Sequence, residues 1–239
     1  MSHPIKTESV RIAVGDGTTM GAHVARPEGA EKRPGVLLLQ EVFGVNEHMR
    51  DVAGRIAAEG YVVIAPDLFH RAQPGFIGRY DDIQAAIKVA STYTSEHSKA
   101  DLEASLAHLG GMDGVVGDRL AALGFCMGGK LAFTAGALAP LRAAVSFYGG
   151  GIYPDKIDLV PRLTGHVLFF WAGKDHYIPI ESHQAVIAEM RRLEKPFTSV
   201  EVSHVNHGFF CNARGDYDAA VAAQAWALTK AFLKAHLEG

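Results

Sequence analysis

The sequence has few cysteines. Of 239 residues only Cys126 and Cys211 carry thiols, far apart and without a Cys-x-x-Cys spacing. That excludes a disulfide framework and fits a reducing cytoplasm. A strong charge of one sign is also lacking. The formal net charge is −3 and no run is rich in Lys or Arg, so nothing marks a nucleic-acid-binding surface. No stretch approaches eighteen consecutive apolar residues, and residues 1–5 are short and polar, with no charged segment leading into an apolar one. A soluble cytoplasmic protein without a membrane partner is expected. Internal repeats and low-complexity linkers are missing too. With 48% hydrophobic and 21% charged residues, the chain has the composition of a folded globular protein, and one domain over residues 1–239 is the economical reading.

What is present is an alternation of strand and helix patterns. Residues 8–13 and 20–26 alternate apolar and polar around Gly15-Asp16-Gly17, which predicts an antiparallel hairpin. Those glycines lack the third glycine and the preceding strand and helix of a dinucleotide fingerprint, so no such cofactor is expected. Residues 36–41 form an apolar run suited to a strand buried on both faces, ending in Glu41. Helical spacing over 47–59 stops at Gly60, and 61–65 is the next buried strand. Strand, helix, strand at this spacing is a parallel crossover. Residues 69–80 read as a loop, and 81–93 and 98–110 as helices. Strands follow at 119–125, 143–147, 166–171 and 198–202, with helices to about 138, at 180–193 and at 217–236. The pattern is α/β: a mostly parallel sheet with an N-terminal antiparallel hairpin and helices on both faces.

Ligands of such sheets bind outside the carboxyl ends of the strands. Glu41, Asp67, Cys126, Tyr148, Asp175 and His207 all fall there. Around Cys126 the chain reads Gly124-Phe-Cys-Met-Gly128-Gly129, an apolar strand meeting glycines and then a helix. This is a nucleophile elbow, in which small residues flank a side chain held on a sharp turn. The helix that follows offers N–H groups and a positive dipole end to a thiolate and a developing oxyanion. A close-packed strand–helix turn with a buried cysteine is the structural alternative.

A thiol needs a base, and the base needs a partner that fixes its tautomer. Elbow proteins order these as nucleophile, acid, histidine. Cys126, Asp175 and His207 follow that order at strand ends. Asp175 could instead serve an Asx turn beside Gly173, and His204 and His176 compete with His207. His204 and His207 lack a third ligand at a supporting spacing, so no metal is expected, and no other cofactor.

On these residues the chain resembles the dienelactone hydrolase family, the carboxymethylenebutenolidases, within the α/β-hydrolase fold. Gln40-Glu41-Val42-Phe43-Gly44 with Asn46, Ala65-Pro66-Asp67-Leu68, Gly124 to Gly129, Tyr148-Gly149, Gly173 with Asp175 and Pro179, and His207-Gly208-Phe209 carry the resemblance from about residue 35 to 237. It implies a Cys126–His207–Asp175 triad and an oxyanion hole from the N–H groups of Met127 and Val42. Glu41 would be an extra carboxylate controlling when the thiol ionises. The implied activity is hydrolysis of a small-molecule ester or lactone through a thioester, with Tyr148, Arg79 and Arg214 as substrate-binding candidates. Family members acting on anionic dienelactone are expected to carry an arginine four residues after the histidine. Cys211 stands there, which points away from that particular lactone.

Three further classes meet the same sequence. A lactone receptor on this fold would keep the triad without turnover. A redox sensor would use a low-pKa Cys126. A glutamine amidotransferase would need His-x-Glu where the chain has His207-Gly208-Phe209. No sequence feature fixes an oligomeric state.

Overall fold

The computed structural model describes residues 3–239. Met1 and Ser2, part of the polar N-terminal stretch, lie outside them. The chain divides into two compact units, Met1–Leu120 and Ala121–Gly239.

In the first unit β1 (Ile5–Ala13) and β2 (Thr19–Pro27) pair antiparallel, as the Gly-Asp-Gly turn predicts. β3 (Arg33–Leu39) and β4 (Val62–Pro66) pair parallel, and β4 also pairs antiparallel with β2, giving the order β1-β2-β4-β3. The apolar run of β3 is buried from Val36 to Leu39. The parallel connection runs through α1 (Glu47–Ala58), capped by the Asn46 side chain accepting from the Met49 N–H. Its buried stripe of Met49, Val52, Ala53 and Ile56 is the helical spacing seen in the sequence. α2 (Ile83–Ala90) and α3 (Ser95–Gly111) follow.

β5 (Val115–Phe125) crosses the division and starts earlier than the sequence suggests. Gly117 and Asp118 are poor strand formers, but a Cβ at Gly117 would lie 2.9 Å from the Gly110 carbonyl oxygen, so only glycine fits this approach.

The second unit continues with α4 (Met127–Leu138), β6 (Ala143–Phe147), a 3-10 turn over Ile157–Arg162 that the sequence pattern did not reveal, and β7 (His166–Ala172). α5 (Ile180–Arg192), β8 (Phe197–Val202) and α6 (Ala219–Leu237) complete it. Here β5, β6, β7 and β8 pair parallel in sequence order. Phe125, Phe147 and Phe170 stack successively at 4.7 and 4.4 Å between ring centroids, one ring from each of β5, β6 and β7. Such contacts contribute about 0.5–1.5 kcal/mol per pair beyond burial and hold the strand ends in place. Among the described residues no helix is long and apolar enough to cross a membrane.

Candidate active site

Cys126 sits between β5 and α4 with φ 55° and ψ −119°. A β-carbon at positive φ costs about 1–3 kcal/mol, a strain that persists only where the surroundings enforce it. They do so here through glycine. A Cβ at Gly124 would lie 2.0 Å from the Gly128 carbonyl oxygen, and one at Gly129 would lie 2.7 Å from that of Phe147. The Cys126 N–H donates to the Phe147 carbonyl at 3.0 Å, and its own carbonyl accepts from Gly129 at 2.9 Å, so the turn is bonded to the neighbouring strand and to its helix. Met127 is the first residue of α4, where an N–H has no acceptor within the helix.

Asp175 follows β7. Its Oδ1 accepts from the N–H groups of Tyr177 and Ile178 at 2.8 and 3.1 Å, which aims Oδ2 at His207. The Asx-turn role and the partnership with histidine therefore coexist in one carboxylate. His207 follows β8, with Nδ1 2.8 Å from Asp175 Oδ2, and both side chains are almost wholly buried. Burial works against a charged imidazole, but the charge of Cys126 and the hydrogen bond and charge of Asp175 outweigh it and raise the His207 pKa to about 10. The competing histidines are placed elsewhere: His204 is exposed and 3.9 Å from Asp218, and His176 is exposed.

Tyr148, at φ 39°, is fully buried with its ring 4.8 Å from that of His207. It forms a wall behind the imidazole. On another side the edge-on ring of Tyr177 approaches His207 at 5.1 Å while remaining 62% exposed. Tyr177 was not singled out in the sequence, and its position two residues after Asp175 was the only available signal. Arg214 lies along the backbone beside the histidine. At Gly208, with φ 86°, a Cβ would meet its guanidinium carbon at 2.6 Å. Cys211 is buried and its N–H donates to the Gly208 carbonyl at 3.0 Å.

The remaining candidates lie in the first unit. Glu41 is buried and Val42 half-buried, just past β3. Their loop is fixed locally: Gly44 adopts φ 77° where a Cβ would strike the Phe76 carbonyl oxygen, and Asn46 Nδ2 donates to the Tyr80 hydroxyl at 2.8 Å. Arg79 is largely exposed and paired with Asp81, Nε to Oδ1 at 2.8 Å. Asp67 organises its own loop, accepting from the N–H groups of Phe69 and Gly75 at 3.1 and 2.6 Å.

A strained cysteine between strand and helix, with an aspartate-held histidine after the last strand, belongs to the α/β-hydrolase class. The chain belongs to the dienelactone hydrolase family, whose model matches residues 20–237. It is 34% identical over 186 residues to the carboxymethylenebutenolidase of Pseudomonas putida, covering 75% of this chain and 76% of that one. A Synechocystis protein assigned as a carboxymethylenebutenolidase is 32% identical over 254 aligned residues, with both chains fully covered. The crystal structure of a Klebsiella pneumoniae chain assigned as a dienelactone hydrolase superposes with a TM-score of 0.87 at 28% identity, over 97% of this chain and 99% of that chain. The chain is accordingly a lactone or ester hydrolase of α/β-hydrolase fold.

Proposed function

We propose that the chain hydrolyses a small ester or lactone with Cys126 as nucleophile, His207 as proton carrier and Asp175 as the group that orients and stabilises the imidazolium. The observation that carries this reading is the placing of His207, held 2.8 Å from Asp175 and raised in pKa by the charge of Cys126, itself on the strained elbow after β5. A pKa near 10 keeps His207 protonated at neutral pH, ready to give its proton to the leaving oxygen.

The thiolate attacks the carbonyl carbon, and the C=O electron pair moves onto oxygen. The Met127 N–H at the start of α4 is one donor to that oxyanion, and the family resemblance supplies Val42 as the other. The intermediate collapses, the C–O bond breaks, and the leaving oxygen takes the imidazolium proton. His207, now neutral, removes a proton from water. The hydroxide attacks the thioester, the C–S bond breaks, and thiolate and a carboxylic acid are released. In the same resemblance Glu41 is the extra carboxylate that controls when the thiol ionises.

Tyr148 contributes by backing the imidazole. Arg214, whose guanidinium lies against the Gly208 backbone next to His207, is the anion-contact candidate beside the histidine. The test is turnover of p-nitrophenyl esters and unsubstituted lactones. Cys126→Ala should lose at least about a thousandfold in kcat/KM, and retention of wild-type rates would rule the reading out.

A further inference from the structure

A cavity of about 420 Å³ opens in the first unit, between the β1-β2 hairpin, the start of α1 and the loop after β4. That volume is within the range of small-molecule sites. Strand register explains why it exists. Arg11 pairs with Gly21, Ser9 with His23, and His23 with Ala65, so these five residues share one face of the sheet. Gly21 and Ala65 are small and leave a depression among larger neighbours. The room above Gly21 is real: a Cβ there would meet no atom within 4 Å, and the same holds at Gly75 on the opposite rim.

The chemistry of the lining is lopsided. Arg11 and Arg50 contribute two guanidiniums, and neither forms an ion pair among the described residues. Arg50 spends its Nε on the Val45 carbonyl at 3.2 Å. His23 Nε2 is buried without a hydrogen-bond partner among the described residues, an expensive condition for a polar atom unless a solute meets it. Burial and then the charge of Arg50 lower the His23 pKa, so the imidazole is neutral and able to accept or donate. Asp67 is the one carboxylate in the lining, and both its oxygens are taken by backbone N–H groups. Phe76 and Ile77 add an apolar wall, with Ile77 60% exposed.

We propose that this pocket binds a small organic anion, a carboxylate on an apolar body. The carboxylate lies against Arg11, Arg50 and His23, and the body lies on Phe76 and Ile77. Guanidinium suits carboxylate geometrically, and the apolar wall adds burial that inorganic anions cannot use. All lining residues belong to residues 9–77, and none of them is a candidate catalytic, oxyanion or substrate-binding residue.

The probe is 4-phenylbutanoate, added to the full-length protein and followed by calorimetry and amide NMR. Saturable binding is expected, with shifts at Gly21 and Gly75. Arg11→Gln and Arg50→Gln should each weaken it about tenfold, and the neutral amide of the probe should bind at least about tenfold less tightly. Both arginines are at the surface, so unchanged melting temperatures will show that the variants fold. His23→Gln provides a second arm, with an intermediate loss. Equal affinity for the amide, unchanged affinity in the arginine variants, no saturable binding, or shifts confined to Gly149, Gly150 and Gly208 would each overturn the proposal.

Discussion

Asp175 Oδ2 lies 2.8 Å from His207 Nδ1 while its Oδ1 accepts two backbone N–H groups, so the carboxylate is fixed before it meets the imidazole. Changing it to an amide keeps the shape and removes the charge. Asp175→Asn should lower kcat by about a thousandfold to ten-thousandfold with little change in KM, as loss of the correct tautomer does in other triads. Steady-state kinetics on one ester checks this.

The protonation of His207 gives a second prediction. Its pKa of about 10 exceeds the unfolded value near 6.5, so its charge contributes stability that is complete below about pH 6.5 and lost as pH rises through about 10. The difference in unfolding free energy between wild type and His207→Gln should shrink across that window. An NMR titration of the His207 ring should give a midpoint near 10 in wild type and a lower one in Cys126→Ala.

The elbow itself can be tested through its glycines. Gly124→Ala would place a Cβ 2.0 Å from the Gly128 carbonyl oxygen, a backbone atom that cannot move without opening the turn. A loss of about 3 kcal/mol or more, or failure to fold, is expected. Gly15→Ala in the hairpin, with nothing within 4 Å, should cost less than about 1 kcal/mol. Denaturant melts of both variants decide.

Away from the site, Arg71 makes a two-pronged pair with Asp101 at 2.9 and 2.8 Å, and Asp101 is wholly buried. Arg71→Ala strands that carboxylate and should cost about 3–5 kcal/mol, whereas Arg71→Met with Asp101→Leu should restore most of it. Thermal unfolding of the single and double variants measures the difference.

Much of this was legible in the chain. Gly124 and Gly129 announced the elbow because each excludes a Cβ from a particular carbonyl, and such steric demands leave a signature in residue type. The nucleophile-acid-histidine order drew Asp175 and His207 from a larger set of acids and histidines. Less visible were features created by tertiary contact. The early start of β5 depends on Gly117 meeting Gly110, and the 3-10 turn at Ile157–Arg162 has no periodicity long enough to read. Tyr177, whose ring lies beside His207, carries no sequence signal beyond its place two residues after Asp175. The pairing of Arg79 with Asp81 likewise needed coordinates, since residues two apart meet only in a suitable turn.

The central claim is that acyl transfer passes through Cys126. Its most direct test is rapid-quench mass spectrometry during p-nitrophenyl acetate hydrolysis. An acetyl adduct on the peptide carrying Cys126, formed before steady state and absent in Cys126→Ala, is the predicted result. An adduct mapping to another residue, or turnover without any adduct that survives in Cys126→Ala, would contradict it.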